Sequence, residues 1–163
     1  MSVIGTLVCC ALPAKASVSI VYTSNQPNIL MDQQRAHFPQ LSTLINQLRA
    51  KPGSKTLFLH GGDSFSPSPI SLFDTAKNIV SLANLMEVTA YSTSKRELTY
   101  DVDTLSLRAM DAQFPILSSN LIDRRTGEDI EGLFSIYQLE VGGANIAIAS
   151  IINPRVLVAH RFK

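Results

Sequence analysis

A glycine pair followed by an aspartate, Gly61-Gly62-Asp63, is the part of this sequence that points most directly to chemistry. It comes directly after the mostly apolar stretch 56–60. Paired glycines let the backbone turn sharply where a strand ends, and ligand sites in open α/β sheets lie at that carboxyl edge. A carboxylate there is a hard oxygen ligand that suits a divalent cation. The alternative is an Asp63 side chain that caps the next helix or turn.

The elements that must position this turn alternate between strand and helix. Apolar and β-branched stretches predict strands, and apolar residues spaced three and four apart predict helices. Such an alternation is typical of an α/β layered fold. The predicted strands are residues 18–23, 56–60, 88–91, 115–118, 134–139 and 146–151, and the predicted helices are residues 32–50, 71–86 and 102–112.

The composition is that of one folded globular domain. The chain has 163 residues, of which 45% are apolar and 17% charged, and its net charge is +1. This length is enough to bury one core, and this composition is too apolar for disorder. A charge so close to neutral provides no basic field for nucleic acid and no solvated acidic tail. We therefore expect no nucleic-acid partner.

The amino-terminal segment, residues 1–16, is an apolar run that is followed by Pro13 and then by small residues at Ala14 and Ala16. That spacing matches a secretory cleavage site, and the run is too short to span a bilayer. It predicts a signal peptide over residues 1–16, a domain over residues 17–163, and a periplasmic or secreted protein without an integral membrane span. Because no Lys or Arg precedes the run, the alternative is a cytoplasmic chain in which this segment is a buried strand or helix.

Several motifs follow one another in an order that resembles the amino-terminal half of the secreted bacterial 5′-nucleotidase family of metallophosphoesterases. The resemblance runs from about residue 18 to residue 154 and is most specific at GGDSFSPSP, at FPILSSNLID and at the TGE that follows. It implies a calcineurin-like α/β sandwich of mixed β-sheets flanked by helices, which this chain would contain only in part, ending before the domain is complete. It also implies a metal-dependent phosphoric ester hydrolase, in which two divalent ions activate a water for attack on phosphorus.

The metal ligands that the resemblance implies are only partly retained. In the family's first loop an aspartate and a histidine bind metal, and the matching positions here are Asn25 and Pro27. A neutral amide is a poorer ligand than a carboxylate, and the side chain of proline has no donor atom. In the second loop, Asp63 keeps the carboxylate that bridges the two ions in the family.

The family's third loop reads Gly-Asn-His-Glu, and the matching positions here are Ser94, Lys95, Arg96 and Glu97. Lys95 and Arg96 therefore stand where a ligand and a catalytic acid belong. A fixed positive charge about 4 Å from a divalent ion repels it by roughly 8 kcal/mol near a protein surface, as much as a micromolar affinity supplies. The presence of Lys95 and Arg96 at these two positions predicts that the chain has no metal cofactor and no catalytic residue. It also predicts an ion pair between one of these cations and Asp63, unless both cations point into solvent.

These substitutions favour a degenerate, catalytically inactive domain that is an exported remnant or a sensory or scaffold module. One alternative is an active phosphohydrolase that a longer reading frame completes. Another is a metal-free module that binds a nucleotide or phosphate through Lys95 and Arg96, since both donate to phosphate oxygens.

Two further expectations come from the resemblance. Asn120 matches a recurrent family asparagine, and it would order the loop around Asp63 or form a turn of its own. Half of a two-sheet sandwich would also leave one apolar sheet face uncovered, so a protein partner or a second copy of the chain would cover it.

Overall fold

A parallel sheet with helices on one side forms the body of the molecule. The computed structural model describes residues 17–26, 38–66 and 68–157. The predicted signal peptide, residues 1–16, lies outside the described residues, and so does Pro27. No helix in the described part of the chain is both long and apolar enough to cross a membrane.

The larger sheet has five strands, which lie side by side in chain order and pair in parallel. Parallel neighbours need crossover connections, and helices provide the first three of them. Because such crossovers are right-handed and the strand order never reverses, these helices all lie on the same face of the sheet. The strands are β1 (Ser17–Thr23), β2 (Ser54–His60), β3 (Ala90–Ser92), β4 (Ile116–Leu117) and β5 (Leu133–Phe134), and the helices are α1 (Phe38–Arg49), α2 (Pro69–Asp74), α3 (Lys77–Leu85) and α4 (Val102–Asp111).

The hydrophobic core lies between the sheet and these helices. Phe58 on β2, Tyr91 on β3 and Ile116 on β4 pack in one buried cluster with helix residues such as Ile45 and Leu105. Side chains of a strand alternate between its two faces, so the neighbouring residues on the same strands point to the other side. Those neighbours, which include Leu57, Ala90 and Leu117, are buried but do not belong to this cluster.

A two-stranded antiparallel sheet follows the parallel one. It consists of β6 (Ile136–Val141) and β7 (Ala144–Ala149), which form a hairpin joined at Gly142-Gly143. Both glycines have positive φ angles, 61° and 81°, which a tight hairpin turn requires and which glycine adopts at little cost. A short helix, α5 (Pro154–Leu157), ends the described chain.

The prediction of one helix over residues 71–86 is wrong, because the structure has two helices there, α2 and α3. Thr75 and Ala76 separate them and adopt left-handed φ angles of 51° and 66°. Asp74 accepts a hydrogen bond from the backbone N–H of Asn78 at 2.8 Å. Asp, Thr and Asn favour such local bonds over a helix interior, and this overrides the apolar spacing that predicted a single helix.

The other predicted elements are confirmed with shifts of a few residues at their ends. The predicted helix 102–112 corresponds to α4, and the predicted strands 18–23 and 56–60 correspond to β1 and β2. The helix predicted over residues 32–50 is described from Phe38 onward. The strand predicted over residues 134–139 is divided between β5 and β6, because the chain leaves the parallel sheet between them.

Candidate functional site

The glycine-rich turn lies at the carboxyl end of β2, as the sequence predicts. Gly61 donates its backbone N–H to the Thr23 carbonyl oxygen at 2.7 Å, and the N–H of Asn25 bonds the Gly62 carbonyl oxygen at 2.9 Å. The loop after β1 is thereby held beside the turn after β2. Gly62 has φ 74°, and a Cβ atom there would lie 2.2 Å from the carbonyl oxygen of Ser92, so only glycine fits.

Asp63 also has a left-handed backbone, with φ 62°. Such a conformation is uncommon for a residue with a side chain, although Asp and Asn tolerate it best. It persists here because the surrounding turn is held by bonds from elsewhere in the chain. The side chain that holds the turn is a buried carboxylate.

Glu97 is that carboxylate, and it lies on a 3₁₀ turn, Glu97–Thr99, with none of its surface exposed. Its Oε2 atom accepts the backbone N–H of Asp63 at 2.8 Å and that of Ser94 at 3.0 Å. Its Oε1 atom accepts the backbone N–H of Ser64 at 2.9 Å and the hydroxyl of Tyr91 at 2.8 Å. Glu97 thus joins the second and third loops of the site into one structure.

The electrostatics of Glu97 and Tyr91 follow from their burial. Burial raises the pKa of Glu97, because a charged carboxylate loses its hydration there, although the backbone N–H donors oppose that shift. Burial and the neighbouring Glu97 charge both raise the pKa of Tyr91 well above its ordinary value. The phenol therefore keeps its proton and donates a hydrogen bond to the carboxylate. With both oxygens occupied by donors, Glu97 serves as a structural anion in this fold.

Arg96 fills the space between the first two loops. Its Nη1 atom donates to Asn25 Oδ1 at 2.5 Å and to the backbone oxygen of Asp63 at 3.3 Å. Its Nε atom lies 3.8 Å from Asp63 Oδ1, which makes an ion pair in which both side chains are 29% exposed. The guanidinium thus contacts oxygens of both loops that the family resemblance assigns to metal binding. Lys95, the residue before it, is exposed, and its side chain makes no ion pair within the described residues.

His60 is buried under the same turn. Its ring is stacked on Tyr91, with a centroid distance of 4.5 Å and an interplanar angle of 2°. Its Nδ1 atom accepts the backbone N–H of Gly62 at 3.0 Å. Burial lowers the pKa of His60 to about 4, since the imidazolium would lose its hydration there. His60 is therefore a neutral acceptor that supports the turn from below.

The residues present do not fit a two-metal centre. Asn25 offers a neutral oxygen that already accepts from Arg96, and the oxygens of Glu97 are occupied by N–H and O–H donors. Asp63 faces a guanidinium that competes with a cation for its carboxylate. Within residues 17–26, 38–66 and 68–157, no group of three or more His, Cys, Asp or Glu side chains is arranged to hold a metal ion.

Asn120 orders a different part of the chain from the turn at Asp63. Its side-chain amide donates to the carbonyl oxygen of Ile152 at 2.8 Å, and its Oδ1 accepts the Ile152 N–H at 2.9 Å. Ser119 and Ser150 add a backbone bond of 2.7 Å between the same two segments. The Asn120 side chain thus attaches the segment after β7 to the end of β4.

Sequence reasoning names Asn25, Asp63 and Arg96, which are in contact in the structure, but it misses the roles of two supporting residues. It identifies Glu97 only as a retained family residue, and it predicts for His60 only a surface or strand-end role. Each acts through contacts with buried polar groups, and for Glu97 two of these partners lie more than thirty positions away. The local sequence gives no signal of this burial, because Glu97 directly follows Lys95 and Arg96, a charged context that is typical of an exposed acid.

Comparison with known proteins agrees with the sequence motifs. No family model matches the sequence. A 5′-nucleotidase from Vibrio vulnificus (strain CMCP6) is 30% identical over 113 residues, which are 67% of this chain and 20% of that protein. The chain therefore spans about a fifth of the length of that relative.

Solved structures share the fold. The Haemophilus influenzae NAD nucleotidase superposes with a TM-score of 0.76 at 18% identity, over 86% of this chain and 27% of that one. The calcineurin-like phosphoesterase YfkN from Bacillus subtilis superposes with a TM-score of 0.67 at 18% identity, over 87% of this chain and 50% of that one. The fold is thus the α/β fold of calcineurin-like phosphoesterases.

Motif order, curated relatives and fold agree. The chain corresponds to an amino-terminal fragment of the 5′-nucleotidase/metallophosphoesterase domain.

Proposed function

We propose that this chain is a non-catalytic metallophosphoesterase-like domain, in which the Arg96 guanidinium takes the place of a metal ion. The observation that supports the proposal is the set of contacts from Arg96 to Asn25 Oδ1 and to the backbone and side-chain oxygens of Asp63. In the family resemblance these positions contribute metal ligands. A guanidinium carries one fixed positive charge and several N–H donors, so it neutralises and bonds the same oxygens without any metal.

Hydrolysis by two metals requires a water that the ions acidify and an electrophilic clamp on the phosphate. Arginine supplies neither an acidified water nor an open coordination position. Arg96 also replaces the histidine that the resemblance assigns to the leaving group, and a guanidinium does not give up its proton at physiological pH. The domain would therefore keep the shape of the turn at Asp63 and lose its chemistry, which suits a sensory or scaffold role.

The metal-free phosphate-binding alternative has weaker support. Lys95 is exposed and free to meet an anion from solvent, but the donors of Arg96 already contact Asn25 and Asp63. The Asp63 carboxylate beside them would also repel a phosphate. Isothermal titration with inorganic phosphate and nucleoside phosphates, repeated on Lys95→Ala, separates the two. Saturable binding that Lys95→Ala abolishes would favour the alternative.

A hydrolysis assay tests the main proposal directly. Nucleoside monophosphates and bis(p-nitrophenyl) phosphate are each supplied with manganese, cobalt or zinc. The expected result is no metal-dependent turnover above the buffer rate, for the natural chain and for Asp63→Ala alike. Turnover that Asp63→Ala removes, while the exposed control Asp103→Ala leaves it intact, would show an active enzyme instead.

A further inference from the structure

A small cavity lies beneath the turn at Gly62, on the side of the sheet that carries the helices. Its volume is about 10 Å³, which is about the minimum for one water molecule and too small for a larger ligand. Most of its lining is apolar, and the polar side chains that line it are Gln26, His60 and Tyr91. The Tyr91 hydroxyl donates to Glu97, which leaves Gln26 and His60 to interact with a ligand in the cavity.

His60 has a proton donor on the ring nitrogen that the turn does not use. Its Nδ1 atom accepts the backbone N–H of Gly62 at 3.0 Å, so the neutral ring carries its proton on Nε2. The Ser64 hydroxyl oxygen lies 3.5 Å from Nε2, which is longer than an ordinary N–H to oxygen hydrogen bond. That oxygen already accepts the backbone N–H of Gln26 at 2.7 Å. Within the described residues, the buried Nε2–H group therefore has only a weak acceptor.

Gln26 has the complementary group, an acceptor. Its side-chain oxygen, Oε1, is buried and accepts no hydrogen bond from the part of the chain that the structure describes. A buried amide oxygen that loses its bonds to water without replacement destabilises a fold, so such atoms are nearly always paired with protein or with ordered water. The cavity is thus lined by one side chain with an unpaired acceptor and by another with a weakly paired donor.

We propose that the cavity binds one ordered water molecule, which accepts a hydrogen bond from His60 Nε2–H and donates one to Gln26 Oε1. The chemistry of these two groups selects the ligand. A metal ion or an ammonium ion does not accept an imidazole N–H, and an anion without a proton does not donate to an amide oxygen. Water does both, and the volume of the cavity excludes larger hydroxyl compounds. This proposal does not rest on the proposed lack of catalysis.

The water would give the first loop a connection to the sheet that does not involve Arg96. Gln26 lies in the loop after β1, and His60 is the last residue of β2, below the turn. The backbone N–H of Gln26 is already bonded to the Ser64 hydroxyl, and the water fixes its side chain as well. A bridging water is nearly as favourable as a direct hydrogen bond. His60 is then a positioning residue for the first loop, in addition to its support of the Gly62 turn.

A high-resolution crystal structure of the full chain tests the proposal directly. The expected result is one water molecule at hydrogen-bond distance, about 2.7–3.2 Å, from both His60 Nε2 and Gln26 Oε1. A cavity without electron density for water would overturn the proposal. So would a direct hydrogen bond between the two side chains, since it would satisfy both groups without a ligand.

Gln26→Met tests the bridge in solution through the sign of its effect on stability. Methionine keeps the length of the side chain and removes the amide oxygen. If water bridges the two residues, the substitution breaks a hydrogen bond and should lower the urea midpoint by about 0.5 M. If the oxygen is unpaired, its removal should leave the midpoint unchanged or raise it, and that result would overturn the proposal. The matched control is Gln47→Met on the exposed side of α1, which should leave the midpoint unchanged.

Nuclear magnetic resonance of the His60 ring keeps the proposal testable if Gln26→Met disturbs the loop by itself. In the natural chain, the nitrogen chemical shifts should place the proton on Nε2, and this proton should show magnetisation transfer from a long-lived bound water. Gln47→Met should preserve both signals. A proton on Nδ1, or an Nε2–H group that exchanges no magnetisation with a bound water, would overturn the proposal.

Discussion

The guanidinium of Arg96 lies 3.8 Å from the Asp63 carboxylate, so a cation of the protein itself neutralises the residue that the family uses to bridge two metals. The same side chain bonds the backbone oxygen of Asp63 and the amide oxygen of Asn25. It thus connects the loops after β1 and β2 through side-chain contacts. This connection has consequences for stability that can be measured.

Arg96→Ala should lower the free energy of unfolding by about 1 kcal/mol, because it removes one charge-assisted hydrogen bond and a partly exposed ion pair. Urea denaturation followed by circular dichroism measures this loss. The control is Lys95→Ala, which removes the neighbouring cation and should change stability by less than about 0.5 kcal/mol. Equal effects of the two substitutions would mean that the Arg96 contacts contribute nothing.

Substitutions at Glu97 should be far more costly than those at Arg96. Glu97→Gln keeps the size of the side chain but turns an NH₂ group toward N–H donors of the turn, so we expect a loss of about 3 kcal/mol. Glu97→Ala leaves all the donors unsatisfied and should cost about 4 kcal/mol or more. Tyr91→Phe, which removes one donor only, should cost about 1 kcal/mol. Urea denaturation measures all three, and if Glu97→Gln were as stable as the natural chain, the carboxylate would not organise the turn.

The pH dependence of stability should carry a contribution from His60. Its pKa is about 4 in the folded protein, below the ordinary 6.5 of the unfolded chain. Between these values the unfolded chain binds the proton more readily, so the free energy of unfolding falls as the pH drops from 6.5 to 4. The full loss amounts to about 3 kcal/mol. Urea denaturation repeated at several pH values measures it.

The His60 contribution can be isolated by a matched variant. His60→Asn keeps an acceptor for the Gly62 N–H and cannot titrate, so its stability should fall less steeply over that pH range. Glu97 acts in the opposite direction, because burial raises its pKa and the folded carboxyl takes up its proton first. Glu97 is present in both proteins, so the difference between their pH profiles reports His60. Parallel profiles would show that the imidazole is not held neutral.

Metal binding should return only when the positively charged side chains of Lys95 and Arg96 are replaced. Manganese should not raise the melting temperature of the natural chain, because Arg96 and Lys95 repel it and Asn25 is a poor ligand. The triple variant Asn25→Asp/Lys95→Asn/Arg96→His should show a concentration-dependent increase. Differential scanning fluorimetry measures both, and a natural chain that manganese stabilises would refute the proposed role of Arg96.

Local patterns in the sequence predict those strands and turns whose structure depends mainly on neighbouring residues. The apolar stretch before Gly61 specifies β2, and the Gly142-Gly143 pair specifies the hairpin. The prediction of a single helix over residues 71–86 is wrong because Asp74 and Thr75 form local bonds that apolar spacing does not reveal.

The candidate site is predictable in its residue types but not in its contacts. Aligning motifs places Asn25, Asp63 and Arg96 at matching positions, and the structure brings them into contact. The arrangement depends on Glu97, whose bonding partners include residues distant in sequence, and on a stacked ring beneath the turn. Neither the burial of a carboxylate nor its several donors follow from a one-dimensional pattern, since both depend on how the sheet and loops pack.

Because the Glu97 carboxylate fixes the backbone at Asp63 and Ser94 from inside the fold, the side chains on the outer surface of these loops are not needed to maintain their shape. A protein engineer can then exchange the side chains at positions 95 and 96 for new donor atoms, one at a time, while the backbone of the turn keeps its shape. The buried core should tolerate such substitutions as long as Glu97 is unchanged.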